Sequence, residues 1–166
     1  MTDRIRLTNG FAPVYNSESR VLILGSHPGV PSLKKQQYYG NPGNAFWRVV
    51  FSALNVDDPL DYQSRLNLLL ANGIALWDVY AQVEREGSYD HKITYNVLND
   101  FESLLAQCPI QLIIANGKTA YNETQRHPIF NDYLVKSALS TSGLNNGREQ
   151  ERMAQWHDYL LEGLKK

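Results

Sequence analysis

Val21, Leu22, Ile23 and Leu24 form an unbroken apolar run that Gly25-Ser26-His27-Pro28-Gly29 ends abruptly. A strand with one face in water would alternate apolar and polar residues. This one does not, so it fits a strand covered on both faces, as in a parallel sheet between helices. Open sheets of that kind bind ligands in the crevice beyond the carboxyl ends of their strands. The turn falls there, and its glycines let backbone approach a ligand closely while turning amides face an anion. Downstream, Tyr38-Tyr39-Gly40-Asn41-Pro42-Gly43-Asn44-Ala45-Phe46-Trp47 is denser in rings, amides and turn formers than a surface loop requires.

The remaining elements follow in order. Residues 1 to 19 read as a short strand or arm and a loop, closing with the turn-rich Asn16-Ser17-Glu18-Ser19. Ser32 is expected to cap a short helix over residues 32–37. Asn44 is expected to cap a longer one, in which Phe46, Trp47, Val50, Phe51 and Leu54 recur at helical spacing. Asp57-Asp58-Pro59 opens the next helix, about 60–71. Gly73 to Tyr80 reads as the second buried strand, with Asp78 at its end. The charged stretch 84–92 reads as a surface loop with some chance of touching substrate. Asn99-Asp100 caps a helix holding Phe101, Leu104 and Leu105. The third strand is Gln111 to Ala115, followed by Asn116-Gly117 and a helix over Lys118 to about Gln125. The fourth strand is about 133–139, then a polar loop from Ser140 to Gly147. Arg148 to Leu164 forms an amphipathic helix with Met153, Trp156, Leu160 and Leu164 on one face. Strands alternating with helices predict parallel pairing and right-handed crossovers, hence a three-layer α/β/α fold. The length, 166 residues, suits one domain spanning 1–166.

Composition removes several classes of function. No apolar run is long enough to cross a bilayer, and the N-terminus lacks a signal peptide's apolar stretch, so a cytoplasmic protein without a membrane partner is expected. Cys108 is the single cysteine, which excludes an internal disulfide and an all-cysteine zinc or iron–sulfur site. It is expected to be a packed core thiol. The histidines His27, His91, His127 and His157 show no metal-ligand spacing, and neither metal nor cofactor is expected. Sixteen Lys and Arg against seventeen Asp and Glu give a net charge of −1, so any nucleic-acid contact needs a local basic patch.

Topology gathers the candidate residues. Gly25 to Gly29, Asp78, Asn116 and Ser140 to Asn145 each follow a different expected strand and should meet at one rim of the sheet. On the residues alone, that rim fits a nucleic-acid or nucleotide binder or a small-molecule enzyme holding a phosphate. The turn lacks both the P-loop lysine and the Gly-x-Gly-x-x-Gly spacing.

Gly-Ser-x-Pro-Gly followed by Ser-Leu, Tyr-Tyr and Asn-Pro-x-Asn-x-Phe-Trp resembles the first motif of the uracil-DNA glycosylase superfamily. It is most similar to the branch called family 6, the hypoxanthine-DNA (deoxyinosine) glycosylases. Gly73-Ile74-Ala75-Leu76-Trp77-Asp78-Val79, Ile113-Ile114-Ala115-Asn116-Gly117 and Ser140-Thr141-Ser142 extend the likeness from about residue 5 to about 160. The resemblance implies a four-stranded parallel sheet between helices. It also implies a glycosylase acting on DNA containing deaminated bases: hypoxanthine first, uracil or xanthine besides. No lysine stands in the motifs as a Schiff-base nucleophile, so a monofunctional enzyme is expected, and a monomer. Such an enzyme takes the base out of the stack, reads its edge and breaks the C1′–N bond. The family-6 catalytic asparagine matches Asn44. Classical relatives keep an Asn or Asp in the turn, after its first glycine, to position water; Ser26 takes that place here, and His27 is a possible donor to the leaving base. Asp78 stands where uracil-cleaving relatives have a specificity asparagine. As a carboxylate it accepts only, so it suits the N1–H of hypoxanthine or the N3–H of uracil and leaves adenine N1 unpaired. Tyr39 and Phe46 are stacking candidates, and Asn116 is a further base contact. Ser140, Thr141, Ser142, Gly143, Leu144 and Asn145 resemble the second motif, which enters the duplex. Their hydroxyls and amides would hold phosphates and Leu144 would wedge into the gap. The family's usual Pro-Ala-Asn after Ser-Thr-Ser is Gly-Leu-Asn here, closer to the mismatch-uracil branch. Arg148, Lys118 and Lys136 are phosphate-contact candidates.

Overall fold

The structure, a computed structural model, describes residues 6–165. Its centre is the apolar run: β2 (Val21–Gly25) pairs in parallel with β3 (Ile74–Asp78) on one side and β6 (Leu112–Asn116) on the other. β7 (Val135–Ala138) adds to β6, giving the order β3-β2-β6-β7. Side chains alternate across this sheet and each set meets its own helices. Val21, Ile23, Ile74, Leu76, Leu112 and Ile114 pack with α2 (Phe46–Leu54), α3 (Tyr62–Ala71) and α6 (Glu149–Gly163). Leu22, Leu24, Ala75, Ile113 and Ala115 pack on the other face with α4 (Glu102–Gln107) and α5 (Lys118–Arg126). The three-layer α/β/α architecture expected from the sequence is the one observed. Cys108 is a buried free thiol. No helix among the described residues is long and apolar enough to cross a membrane.

A second sheet was not expected. β1 (Arg6–Asn9), β4 (Tyr80–Arg85) and β5 (Ile93–Leu98) pair antiparallel in the order β1-β4-β5. The expected strand Gly73 to Tyr80 is therefore two strands. The N–H groups of Val79 and Tyr80 donate to the carbonyls of Gly25 and Ser26 at 2.8 and 3.1 Å, and the chain leaves one sheet for the other at that point. The stretch read as a loop over 84–92 is the tip of the β4–β5 hairpin, turned at Gly87 with φ of 73° and carrying a 3₁₀ turn at Asp90–Lys92. Residues 1–5 of the N-terminal arm lie outside the described residues.

Four helix starts also differ; α4 starts at Glu102, which leaves Phe101 at the cap position while Asp100 Oδ1 accepts the Glu102 N–H at 3.1 Å. α1 (Val30–Lys35) begins ahead of Ser32, with Pro31 in its first turn. Ser32 is buried instead, and its Oγ accepts the Gly40 N–H at 2.8 Å. α3 is capped by Asp61, which accepts from Ser64 N at 3.0 Å. Asp58 is taken up by Arg65 and the Leu60 N–H. α2 begins at Phe46, one residue after Ala45. Asn44 still accepts the Phe46 N–H at 2.9 Å, so a capping bond forms from one position further out.

Candidate active site

The carboxyl ends of β2, β3 and β6 and the loop after β7 open into one cavity of about 780 Å³. Its floor is set by strand register. Gly25 lies beside Asp78 in the β2–β3 ladder. A Cβ on Gly25 would come within 2.6 Å of Asp78 Oδ1 and 3.2 Å of the Tyr39 hydroxyl, so this position admits no side chain. Asp78 is buried, and its carboxyl pKa is pushed up to about 7, first by burial, then by the charge of Asp90, with Arg85 pulling it back. Among the described residues no donor reaches its carboxyl oxygens; only its backbone carbonyl is bonded, to Asn99 Nδ2 at 2.8 Å.

Asn44 lines the same cavity. One lone pair of its Oδ1 is spent on Phe46 N, which fixes the amide plane and leaves Nδ2 and the second lone pair uncommitted. The two residues most important to the sequence reading thus face one space. Tyr39 faces it too, with its backbone in the left-handed region at φ of 54°. A non-glycine residue there stores strain that the surroundings must hold. Phe46 does the holding: the rings stack at 3.8 Å and 9°. Phe46 is itself fully buried and absent from the cavity wall, so it backs Tyr39 and cannot stack on a base as expected.

Asn116 lines the cavity but its amide is committed. Nδ2 donates to Thr141 Oγ1 at 3.0 Å and to the Tyr39 hydroxyl at 3.3 Å, and Oδ1 accepts from Thr141 N at 2.9 Å. Asn116 is a brace between Tyr39 and the second-motif loop, not the base contact expected. Thr141 is fully buried in that brace and passes its carbonyl to Ala45 N at 2.8 Å, so it cannot meet a phosphate either. Ser140, Ser142, Leu144 and Asn145 do line the cavity, and Leu144 is 74% exposed at its edge. Gly143 lies against the Gly43 carbonyl, which a Cβ would approach to 3.0 Å.

His27 is not the free donor that the sequence suggested. It is 7% exposed, with Nε2 3.2 Å from Thr8 Oγ1 and Nδ1 3.3 Å from the Tyr80 carbonyl. Burial lowers its pKa to about 4, despite the bond to Tyr80, and holds the ring neutral. The Ser26 hydroxyl donates to Asp90 Oδ1 at 2.7 Å. Arg148 is turned away into a pair with Glu151, and Lys136 pairs with Glu162 at 2.9 Å, so neither is a free phosphate contact. Lys118 does reach the cavity wall.

The stretch 84–92, expected as a loop that could touch substrate, reaches the cavity as a hairpin, and a second contributor was not expected at all. Ser88, Tyr89, Asp90 and His91 at the hairpin tip form one wall. Arg85 holds that tip down, through Nη2 to the Pro28 carbonyl and Nε to the Gly87 carbonyl at 3.1 Å. The β-branched and aromatic run Ile93-Thr94-Tyr95-Asn96-Val97 after Gly87-Ser88 was a readable hairpin signal. The other is Arg152, fully buried behind the second-motif loop, with Nη1 donating to the Ser140 and Ser142 carbonyls at 3.2 Å each. Nothing in the sequence distinguishes it from a solvated helix arginine.

The fold and site define an open-sheet α/β protein whose pocket lies where strand order reverses, between β2 and β6, and holds an amide and a buried carboxyl group that find no further partner among the described residues. Within that class the chain belongs to the uracil DNA glycosylase superfamily, whose family model matches residues 12–161. It is similar to two proteins named hypoxanthine DNA glycosylase. The one from Methanosarcina barkeri is 40% identical over 151 residues, 89% of this chain and 94% of the relative. The one from Methanosarcina acetivorans is 40% identical over 155 residues, 90% and 96% respectively. It also resembles the solution NMR structure of a Methanosarcina acetivorans protein named as a candidate uracil DNA glycosylase, with a TM-score of 0.84, 38% identity, and 95% and 98% of the two chains covered.

Proposed function

We propose that this chain is a monofunctional DNA glycosylase that turns hypoxanthine out of duplex DNA and hydrolyses its bond to the sugar. The observation that carries the reading is the meeting of the Asn44 amide and the Asp78 carboxyl group in one cavity at the sheet's rim. The names of the two Methanosarcina relatives favour hypoxanthine as the base. Ionised Asp78 accepts the N1–H of the flipped base; adenine offers an acceptor at that place and leaves the carboxylate unpaired. Uracil and xanthine carry a comparable N–H beside a carbonyl and are secondary substrates. The Tyr39 ring, backed by Phe46, offers a stacking face. The Asn44 Nδ2 holds a water against C1′. As the C1′–N9 bond breaks, its electron pair leaves with the base, and the water oxygen bonds to C1′. Leu144, exposed beside the cavity, enters the gap left by the base while Ser140 and Ser142 meet phosphates. Every residue this reading uses lies on one chain, and the proposal includes a monomer acting on DNA in the cytoplasm.

The test uses duplexes holding one inosine, uracil or xanthine, with alkali afterwards to cleave abasic sites. Strand scission in the inosine lane is expected, and Asn44→Ala should lower the rate at least about 100-fold. Binding without scission by the unaltered protein would refute the reading.

A further inference from the structure

Resting on the glycosylase reading, we infer that Asp90, delivered by the β4–β5 hairpin and docked on Ser26, is the catalytic carboxylate that takes the proton of the attacking water. Hydrolysis needs such an acceptor, because water bonding to C1′ must lose a proton while the sugar carries positive charge. Few groups in the cavity can serve. The Asn44 amide is not basic. Asp78 lies at the floor, where the base edge engages it. Both ring nitrogens of His27 are taken by Thr8 and the Tyr80 carbonyl. The exposed His91 ring stacks on Tyr89, with centroids 5.6 Å apart, and among the described residues no hydrogen bond fixes it against the first-motif turn as Ser26 fixes Asp90. Asp90 remains. Its side chain lines the cavity and is 40% exposed, and its Oδ1 accepts from Ser26, two residues after the last buried leucine of β2. Arg85 Nη1 stands 3.6 Å from that same oxygen, leaving Oδ2 to face water.

The hairpin is built to hold Asp90 there. Arg85 Nη2 binds the Pro28 carbonyl, and Ser88 Oγ accepts the Val30 N–H at 2.8 Å, so two contacts just ahead of Asp90 in the chain fasten the tip to the first-motif turn. In the step proposed, the water oxygen bonds to C1′ and the C1′–N9 pair leaves on the base. The water proton passes to Asp90 Oδ2, and the departing base is protonated from solvent.

Single-turnover excision from an inosine duplex, with enzyme in excess, reads the chemical step apart from product release. Asp90→Asn keeps an acceptor for Ser26 and removes the charge. It should slow excision about 100-fold while duplex affinity stays within about threefold. Ser26→Ala loosens the dock but keeps the charge, and should cost less than about tenfold. Added formate should restore part of the rate to Asp90→Gly. Asp90→Asn within about threefold of the unaltered protein would overturn the assignment. So would equal losses in Ser26→Ala and Asp90→Asn, which would mark Asp90 as a latch only. An unaltered protein that excises nothing would instead sink the glycosylase reading, and this inference with it.

Discussion

Asp78 is buried with no donor to its carboxyl group among the described residues, and its neighbours set its charge. Because burial and Asp90 raise its pKa to about 7, the carboxylate form that accepts an N1–H builds up only as pH rises through neutrality. Excision of hypoxanthine is therefore expected to climb through about pH 7 and level off above it. Asp78→Asn should lose that limb and change the ranking among inosine, uracil and adenine duplexes; kcat/KM against pH for each duplex checks both. Unchanged ranking would remove Asp78 as the edge reader. Asn44, Asp78 and Tyr39 were legible as candidates because each type carries its chemistry in its own side chain, and the fold brings all three to one cavity. Phe46, Asn116 and His27 were misread. A ring, an amide and an imidazole serve packing and bracing as readily as catalysis, and only their partners decide which.

The second-motif loop depends on an element outside it. Arg152 on α6 draws the Ser140 and Ser142 carbonyls inward and pairs with Glu149, which also binds Arg48 on α2 at 2.8 Å. Removing the guanidinium leaves those carbonyls and Asn146 Oδ1 without their buried donor. Arg152→Met is expected to destabilise the fold by about 3 kcal/mol and to weaken duplex binding, with the excision rate at saturating enzyme much less affected. Denaturant titration and a duplex-binding isotherm measure the two effects. Helices and strands of the main layers were readable because their periodicities are local. The β4–β5 hairpin was obscured by the charged Glu84-Arg85-Glu86 stretch, which reads as solvated until Arg85 is seen buried against Pro28. Helix starts differ at Val30 and Tyr62, where the Ser32 and Asp58 side chains bond neighbouring groups in the chain, Gly40 N for one and Leu60 N and Arg65 for the other, in place of capping.

At the scale of the molecule, two buried groups tilt stability against pH in opposite directions. His27, with its pKa lowered to about 4, contributes stability that is present above its unfolded value of 6.5 and lost as pH falls towards 4. Asp78, raised from 3.8 to about 7, contributes stability that is present below 3.8 and lost as pH rises through about 7. The slopes oppose between about pH 4 and 6.5, so a flattened profile is expected there. Thermal melts should show Asp78→Asn gaining stability as pH rises across that window and His27→Gln losing it. By itself, the sequence determined the parallel sheet, the layers on its two faces and the rim where four loops meet. Apolar runs, helical periodicity and chain order act along the chain and need no distant partner. Tertiary structure alone decided that Asp90 would dock on Ser26, Arg152 would brace the second-motif loop and His27 would be buried neutral. Those outcomes depend on which side chains from separate segments compete for the same donors and the same shelter from water, and no local pattern encodes that competition.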